Sequence, residues 1–362
     1  MTAENSLRDP QQMAVLAAAI KEIELQPHQF TIMEVCGTHT MSIFRYGIKQ
    51  LLPENMRLIS GPGCPVCVTP AETIAQALAV ARLPRLIFTS FGDMLRVPAA
   101  EDSLMLCRDE GADVRVVLSP LDALKIAADN PDRDVVFFAV GFETTAPTTA
   151  MTLKIARERK IGNFRIICAH KTMPQALRAL LGAGHHSDAL ICPGHVAAIT
   201  GANAFDFIAS ELHLPAAISG FEPVEIMTAL LFLAKQLSAG EAKLVNAYPR
   251  AVRENGNATA LVAMAEAFMP CDANWRGLGM IAESGLELTA EYADFDAIKF
   301  YQPSEAVVAD NPGCCCGQVL RGEITPSECP LMGKICTPDS PQGACMVSSE
   351  GSCAAYYKYA NR

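Results

Sequence analysis

Residues 134–143 read DVVFFAVGFE, and this stretch decides the fold class. It contains six consecutive apolar residues, most of them β-branched or aromatic. Such a run is typical of a strand that is buried on both faces. Gly141 ends the run as a turn, and a carboxylate, Glu143, follows. The stretch therefore predicts a strand of a parallel sheet that is covered by helices on both sides.

The same pattern recurs on either side of this strand. Seven more short apolar runs, separated by helical stretches such as AETIAQALAVARL and QALRALLGAG, are FTIMEV, RLIS, LIFTS, VRVVLS, FRIICAH, ALICPG and AAISGF. This alternation predicts an α/β protein with two parallel-sheet domains and flanking helices. We place an N-terminal helix in residues 1–28, the first α/β domain in 29–130 and the second in 131–225, with the boundary at Asn130-Pro131. A helical and cysteine-rich C-terminal domain takes residues 226–362.

Several strand ends carry polar side chains that are candidates for a site. Three runs end in a glycine turn followed by a carboxylate, at Asp93, Glu143 and Glu222, and His195 also follows a strand. In open parallel sheets, ligands bind in the crevice beyond the carboxyl ends of the strands. Glu143, His195 and Glu222 are therefore candidate site residues. The alternatives are an acid that caps a helix and a structural histidine with its hydrogen bonds satisfied.

Composition excludes some classes of protein. The net charge of −10 lacks the basic patch that binding to a phosphate backbone requires, so no nucleic-acid partner is expected. No apolar run approaches the roughly 18 residues of a membrane span, and the N-terminus does not resemble a secretory leader, so we expect a cytoplasmic protein without a membrane segment. In a reducing compartment, the 14 cysteines favour metal ligands or redox thiols over a disulfide framework.

The first thiol site is the segment EVCGTHT at residues 34–40, at the end of the run FTIMEV. The free backbone N–H groups at a helix start favour the thiolate of Cys36. His39 is close enough in sequence to add positive charge or a second ligand. The segment predicts a nucleophile or a soft-metal ligand, although a single Cys-His pair also arises by chance.

The second thiol site is GPGCPVC at residues 61–67, directly after the run RLIS. The CxxC spacing keeps the sulfurs of Cys64 and Cys67 within disulfide reach, which is the geometry of thiol–disulfide exchange. The flanking glycines let a partner backbone approach. The alternatives are half of a zinc site and an inert turn.

The third thiol site is the C-terminal block from residue 314 onward, which holds seven of the 14 cysteines. A C-x6-C-x8-C-x7-C series with intervening Pro and Gly provides the looped spacing that wraps four thiolates around a compact centre; its members are Cys329, Cys336, Cys345 and Cys353. Tetrahedral zinc is the alternative, but such sites usually contain tight CxxC pairs. The run Cys314-Cys315-Cys316 could add a ligand or carry electrons, and its role stays open.

Six motifs now lie in a fixed order along the chain: EVCGTHT, GPGCPVCVTP, GFETTAP, CPGHV, SGFEP and CPLMGKICTPDSPQGACMVSSEGSCAAYYKY. Together they resemble the HypD family of hydrogenase maturation proteins, from near residue 30 to the C-terminus. Such a series is far more specific than a lone CxxC.

The resemblance implies that Cys36, with a cysteine of the small partner HypC, holds an iron that carries two cyanides and one carbon monoxide, and that His39 lies beside it. Cys64 and Cys67 would be a redox-active pair between that iron and a 4Fe-4S cluster. Cyanide would come from the partner HypE, and the finished group would pass to the hydrogenase large subunit. By the same analogy the cluster ligands are Cys329, Cys336, Cys345 and Cys353.

The function that the resemblance implies is maturation of nickel-iron hydrogenases by a redox-active assembly scaffold rather than by a conventional turnover enzyme. Two other hypotheses are a stand-alone iron-sulfur thiol–disulfide oxidoreductase and a metabolic α/β enzyme with a structural zinc in its tail. Three separate thiol sites are hard to explain with either of them.

Overall fold

The computed structural model of the chain describes residues 6–25, 29–182, 184, 187–304, 308 and 310–359, and the two largest elements of its architecture are parallel sheets. The first has the strand order β2-β1-β7-β8-β9 and the second β4-β3-β5-β6. The strands are β1 Phe30–Glu34, β2 Met56–Ser60, β3 Leu86–Ser90, β4 Asp113–Val116, β5 Asp134–Gly141, β6 Phe164–His170, β7 Ala189–Pro193, β8 Ala216–Ser219 and β9 Leu244–Asn246. The predicted α/β class with parallel sheets is confirmed.

Helices cover the faces of both sheets, as the apolar strands require. On the first sheet, the helices Pro10–Lys21 and Pro223–Ala239 pack on a shared core that includes Ile32 and Ile191. The described helices are Pro10–Lys21, Gly37–Arg45, Ile48–Leu51, Ala71–Ala81, Leu104–Asp109, Pro120–Asp129, Ala146–Glu158, Met173–Gly182, Gly194–Thr200, Phe207–Ser210, Pro223–Ala239, Ala258–Ala267, Ala297–Tyr301, Cys316–Leu320, Ala344–Val347 and Ser352–Tyr359. Short 3₁₀ helices cover Gly92–Arg96, Ala202–Phe205, Ala290–Phe295 and Pro326–Glu328.

The two sheets are not consecutive along the chain. After β2 the chain leaves the first sheet, builds all of the second sheet with β3 to β6, and returns at β7, which pairs with β1. The predicted boundary at Asn130-Pro131 therefore falls inside the second sheet, between β4 and β5. The eight apolar runs have the same character, so their pattern identifies strands but not which strands pair.

An antiparallel hairpin directly follows the helix Ala258–Ala267. Its strands are β10 Phe268–Trp275 and β11 Gly279–Leu288, and β11 lies against the end of β6 through a bridge between Lys171 and Gly285. The sequence predicted a helix that extended over NATALVAMAEAFM, but the helix ends at Ala267 and the strand begins with Phe268. Tertiary pairing outweighs the helix propensity there.

The cysteine-rich tail returns to the first sheet. Its last helix, Ser352–Tyr359, packs against the helix Gly37–Arg45, with the rings of Phe44 and Tyr356 4.6 Å apart and Lys49 Nζ 3.0 Å from the Tyr356 hydroxyl. The tail is therefore held next to the EVCGTHT segment. None of the helices in the described part of the chain combines the length and the apolar character needed to cross a bilayer.

Candidate functional site: three adjoining thiol sites

The carboxyl ends of both parallel sheets open into one cavity of about 300 Å³. This is the crevice that open parallel sheets are expected to form. Segments that follow five different strands line it, together with one residue of the tail; the lining residues are Val35, Cys36, Gly63, Pro65, Val66, Phe91, Val140, Gly141, Phe142, Thr144, Thr145, Pro193, His195, Val196 and Glu350. The interleaved chain path brings these distant motifs to one place.

Cys36 lies at the N-terminus of the helix Gly37–Arg45, where its backbone is extended. Burial raises the pKa of its thiol to about 12, and the negative charge of Glu350 adds to the effect. The N–H groups of Thr38 and His39 act in the opposite direction but are outweighed. The expectation that the helix start stabilises a free thiolate is therefore wrong. The side chain is a neutral thiol that must lose its proton to bind a metal.

Two carboxyl groups that the sequence analysis did not single out flank Cys36. Glu34 accepts hydrogen bonds from the Cys36 N–H at 3.1 Å and from the Thr40 hydroxyl at 2.5 Å, and burial raises its pKa to about 7. Glu350, in the tail, accepts a hydrogen bond from the Thr38 hydroxyl at 2.9 Å. Burial also raises the pKa of Glu350. The only sequence signal for Glu350 is its place in the tail motif, because the fold alone brings it to the cavity.

Three motifs meet in a stack of rings. The ring of Phe221 lies between the imidazoles of His39 and His195, with ring centres 4.6 and 3.8 Å apart. His39 Nε2 is 3.0 Å from the carbonyl oxygen of Gly220, so this nitrogen carries the proton. Burial lowers the pKa of His39 to about 4, and Nδ1 is buried with no hydrogen-bond partner among the described residues. His39 therefore presents an unused lone pair rather than positive charge.

The CxxC loop packs directly against Cys36. Cys64 and Cys67 form a disulfide with a Cα–Cα distance of 5.2 Å, as their spacing allows. The carbonyl oxygen of Gly63 accepts a hydrogen bond from the Gly37 N–H at 3.1 Å. A Cβ atom on Gly63 would lie 2.3 Å from the Cys36 nitrogen, so only glycine permits this approach. Both sulfurs are buried, and their side chains are 2% and 0% exposed.

The CxxC loop also touches the cysteine-rich tail. Cys67 Sγ lies 3.9 Å from the carbonyl oxygen of Ala344, the residue before Cys345. Six cysteines line a second, smaller cavity beyond it: Cys314, Cys315, Cys316, Cys329, Cys336 and Cys353. The disulfide therefore lies between the Cys36 cavity and the thiols of the tail.

The four thiols of the predicted series lie together with the run of adjacent cysteines at residues 314–316. Cys345 is hydrogen-bonded to Cys353, but both also contact Cys316. Cys329 lines the same cavity and is hydrogen-bonded to Cys315. The triplet of adjacent cysteines, whose role the sequence left open, thus lies inside the thiol cluster.

The donor set of this cluster fits an iron-sulfur group. Among the side chains that the structure describes, no group of three or more His, Cys, Asp and Glu has the arrangement of a single metal-ion site. Several soft thiols around one small space are donors that iron-sulfur clusters use. A Cβ atom on Gly343 would lie 2.6 and 2.8 Å from the sulfurs of Cys314 and Cys316, so this position needs glycine to leave the thiols room.

Of the two remaining candidate residues, Glu143 lies beside the cavity and Glu222 does not. Glu143 is buried beside the cavity wall, where Oε1 accepts a hydrogen bond from the Met173 N–H at 3.0 Å, and burial raises its pKa to about 7. Its Oε2 has no partner among the described residues. Glu222 caps the helix Pro223–Ala239 and is paired with Arg8 on the surface. Its position therefore matches the helix-cap alternative.

Comparison with known proteins gives a consistent result. The family model described as "HypD: Hydrogenase formation hypA family" matches residues 11–360. The chain is 48% identical to the Hydrogenase maturation factor HypD of Escherichia coli (strain K12), over 91% of this chain and 88% of that protein. It is 43% identical to the Hydrogenase maturation factor HypD of Azotobacter vinelandii, over 98% and 96%, and 45% identical to that of Rhodobacter capsulatus, over 91% and 89%.

Proposed function

The chain belongs to the HypD family of hydrogenase maturation factors, and from this membership we propose that it is the redox-active scaffold on which, together with HypC, the iron centre with two cyanides and one carbon monoxide is assembled. The observation that carries the proposal is the contact series from Cys36 through the Cys64–Cys67 disulfide to the tail thiols. One cavity beside Cys36 gives the iron and its small ligands a place to bind.

In this proposal Cys36 holds the iron, which is the cargo of the protein. Binding replaces the thiol proton, so an acceptor is needed close by. Glu34 is suited to this role because a pKa of about 7 leaves it able to accept or release a proton near neutral pH. The buried Nδ1 lone pair of His39 can accept a hydrogen bond or serve as a further ligand.

The disulfide supplies the redox step. Its reduction would break the S–S bond and take up two electrons and two protons to give the Cys64 and Cys67 thiols. Reoxidation would re-form the S–S bond, release the two protons and pass the two electrons to the assembling iron site. A 4Fe-4S cluster in the tail would supply electrons one at a time. This step is supported by the 3.9 Å contact between Cys67 Sγ and the carbonyl oxygen of Ala344, the residue before Cys345.

We propose Cys329, Cys336, Cys345 and Cys353 as the ligands of that cluster. All four lie at the second cavity or contact a thiol that does. Cys316 contacts two of them, so it is the first candidate to replace one of the four if a variant keeps its iron.

The partners follow from the same proposal. HypC would contribute its cysteine at the mouth of the Cys36 cavity, HypE would deliver cyanide, and the hydrogenase large subunit would receive the product. The expected cytoplasmic location belongs to the proposal too. A stand-alone thiol–disulfide oxidoreductase is disfavoured, because a buried disulfide is out of reach of a protein substrate.

The test separates the iron cargo from the cluster. We would purify the chain anaerobically with HypC and measure its iron and sulfide contents and its infrared bands from bound cyanide and carbon monoxide. Cys36→Ala should lose the infrared bands and keep the cluster iron, whereas Cys345→Ala should lose about four irons per chain. Cys107→Ala, which removes a buried thiol away from both cavities, is the control and should keep both signals. Infrared bands that persist in Cys36→Ala would contradict the proposal.

A further inference from the structure

The tip of the β10–β11 hairpin contacts both the CxxC loop and the tail. The backbone N–H of Arg276 donates to the carbonyl oxygen of Val68 at 2.9 Å, one residue after Cys67. A Cβ atom on Gly277, whose φ is +79°, would lie 2.5 Å from the Gly317 Cα, one residue after Cys316. The hairpin tip therefore fixes the position of the CxxC loop relative to the tail segment that contains Cys316.

The side chain at this tip is a buried cation. Arg276 is 7% exposed, and its Nη2 donates to Asp310 Oδ1 at 2.5 Å and to the Pro98 carbonyl oxygen at 3.3 Å. Its Nη1 is buried and has no hydrogen-bond partner among the described residues. Asp310 is 45% exposed, so solvent screens its charge far more than that of the guanidinium. Among the described residues, half-exposed Asp310 is the counterion paired with this buried guanidinium, so the positive charge is screened less than the negative one.

That charge acts on the thiol cluster. Gly277, the residue after Arg276 at the hairpin tip, packs against Gly317, the residue after Cys316. A buried guanidinium beside this segment acts on it electrostatically, because solvent screens buried charges little. An iron-sulfur cluster with four thiolates is anionic, and its potential depends on net charge and on hydrogen bonds to its sulfurs.

We propose that Arg276 is a positioning residue for the redox chain: it holds the CxxC loop beside the tail thiols and supplies the buried positive charge that stabilises the reduced form of the cluster. This inference rests on the proposed function, because it requires a cluster in the tail. It adds a residue that lies outside all six motifs and outside both cavities described above.

The test measures potentials rather than maturation activity. The full chain is loaded with iron and sulfide, and its cluster is titrated while the reduced form is followed by electron paramagnetic resonance. Arg276→Gln should lower the equilibrium constant for one-electron reduction by about tenfold, which is about 59 mV. Asp310→Asn leaves the guanidinium in place without its counterion and should shift the potential in the opposite direction. Arg157→Gln, which changes an exposed arginine paired with Glu291 away from both thiol cavities, is the control and should leave the potential unchanged.

The cluster potentials of the two variants decide whether the inference holds. Opposite shifts in Arg276→Gln and Asp310→Asn, with the control unchanged, support it. If the wild-type chain holds a cluster and both variants keep its potential, the inference is overturned and the proposed function stands. If Arg276→Gln does not fold, Asp310→Asn decides alone, since it changes a half-exposed side chain. A wild-type chain that takes up no cluster overturns the inference and the cluster part of the proposed function together.

Discussion

Gly63→Ala tests whether the contact between the CxxC loop and Cys36 is needed for the site. The added Cβ would lie 2.3 Å from the Cys36 nitrogen and 2.4 Å from its Cα, whereas ordinary contact begins at 3.4 Å. The loop would have to withdraw by about 1 Å from backbone atoms that cannot rotate away. We expect a loss of about 1–3 kcal/mol of the free energy of unfolding, as for other overpacked interiors. A larger separation between the disulfide and Cys36 follows from the same displacement.

Two assays on the purified chain measure these effects. Urea unfolding followed by circular dichroism reports the stability, and alkylation with mass spectrometry reports how fast Cys36 and the reduced Cys64–Cys67 pair react. Gly162→Ala is the control, because no heavy atom lies within 4 Å of the Cβ that it adds. Gly63→Ala should unfold at lower urea and expose Cys36 to alkylation, and Gly162→Ala should do neither. Equal unfolding midpoints and equal alkylation rates for the two variants would refute the reasoning.

Three further predictions concern the same site. Burial raises the folded-state pKa of Glu143 from 4.5 to about 7, so the contribution of this carboxyl group to stability is complete below pH 4.5 and is lost as the pH rises through 7. Glu143→Gln should remove this loss. Urea unfolding midpoints of both proteins at pH 5 and pH 8 check it. Phe221→Leu removes the ring between His39 and His195. It should lower the free energy of unfolding by about 1–3 kcal/mol, because each of the two ring pairs contributes about 0.5–1.5 kcal/mol. The NMR signals of the two histidines should shift, and unchanged signals would count against the stack. Cys64→Ser should keep the cluster iron of the tail but fail to form the cyanide and carbon monoxide bands in the presence of HypC, and normal bands would remove the disulfide from the mechanism.

The class of fold could be predicted from the sequence, but the arrangement of the strands could not. The run DVVFFAVG forms β5 over Asp134–Gly141, and the strands β1 to β8 overlap the eight predicted runs because continuous apolar stretches specify buried strands locally. The hairpin strands β10 and β11 are outside these runs. Which strands pair depends on contacts between segments far apart in the chain, such as that of β1 with β7. Local patterns contain no information about such pairing, so the predicted domain boundary fell within one sheet.

The candidate site likewise combines features that the sequence predicts with features that depend on tertiary packing. Family membership was predicted from the motifs and is confirmed. The neutral state of Cys36 and His39 depends on how deeply the fold buries them, which a motif does not specify. Glu350 and Arg276 reach the thiol sites only through the tail and the hairpin tip, so their proximity follows from tertiary packing alone.

The interleaved chain path has a consequence for synthesis on the ribosome. Domains generally fold in order as they emerge, N-terminal first. Here β1, which leads into Cys36, cannot pair with β7 until the whole second sheet has been translated. The contact of Thr38 with Glu350 forms only after nearly all of the chain has emerged. An unfinished nascent chain therefore presents Cys36 without its surrounding walls. Assembly of the pocket is thus among the last events of folding, and its walls and the tail thiols reach their places together.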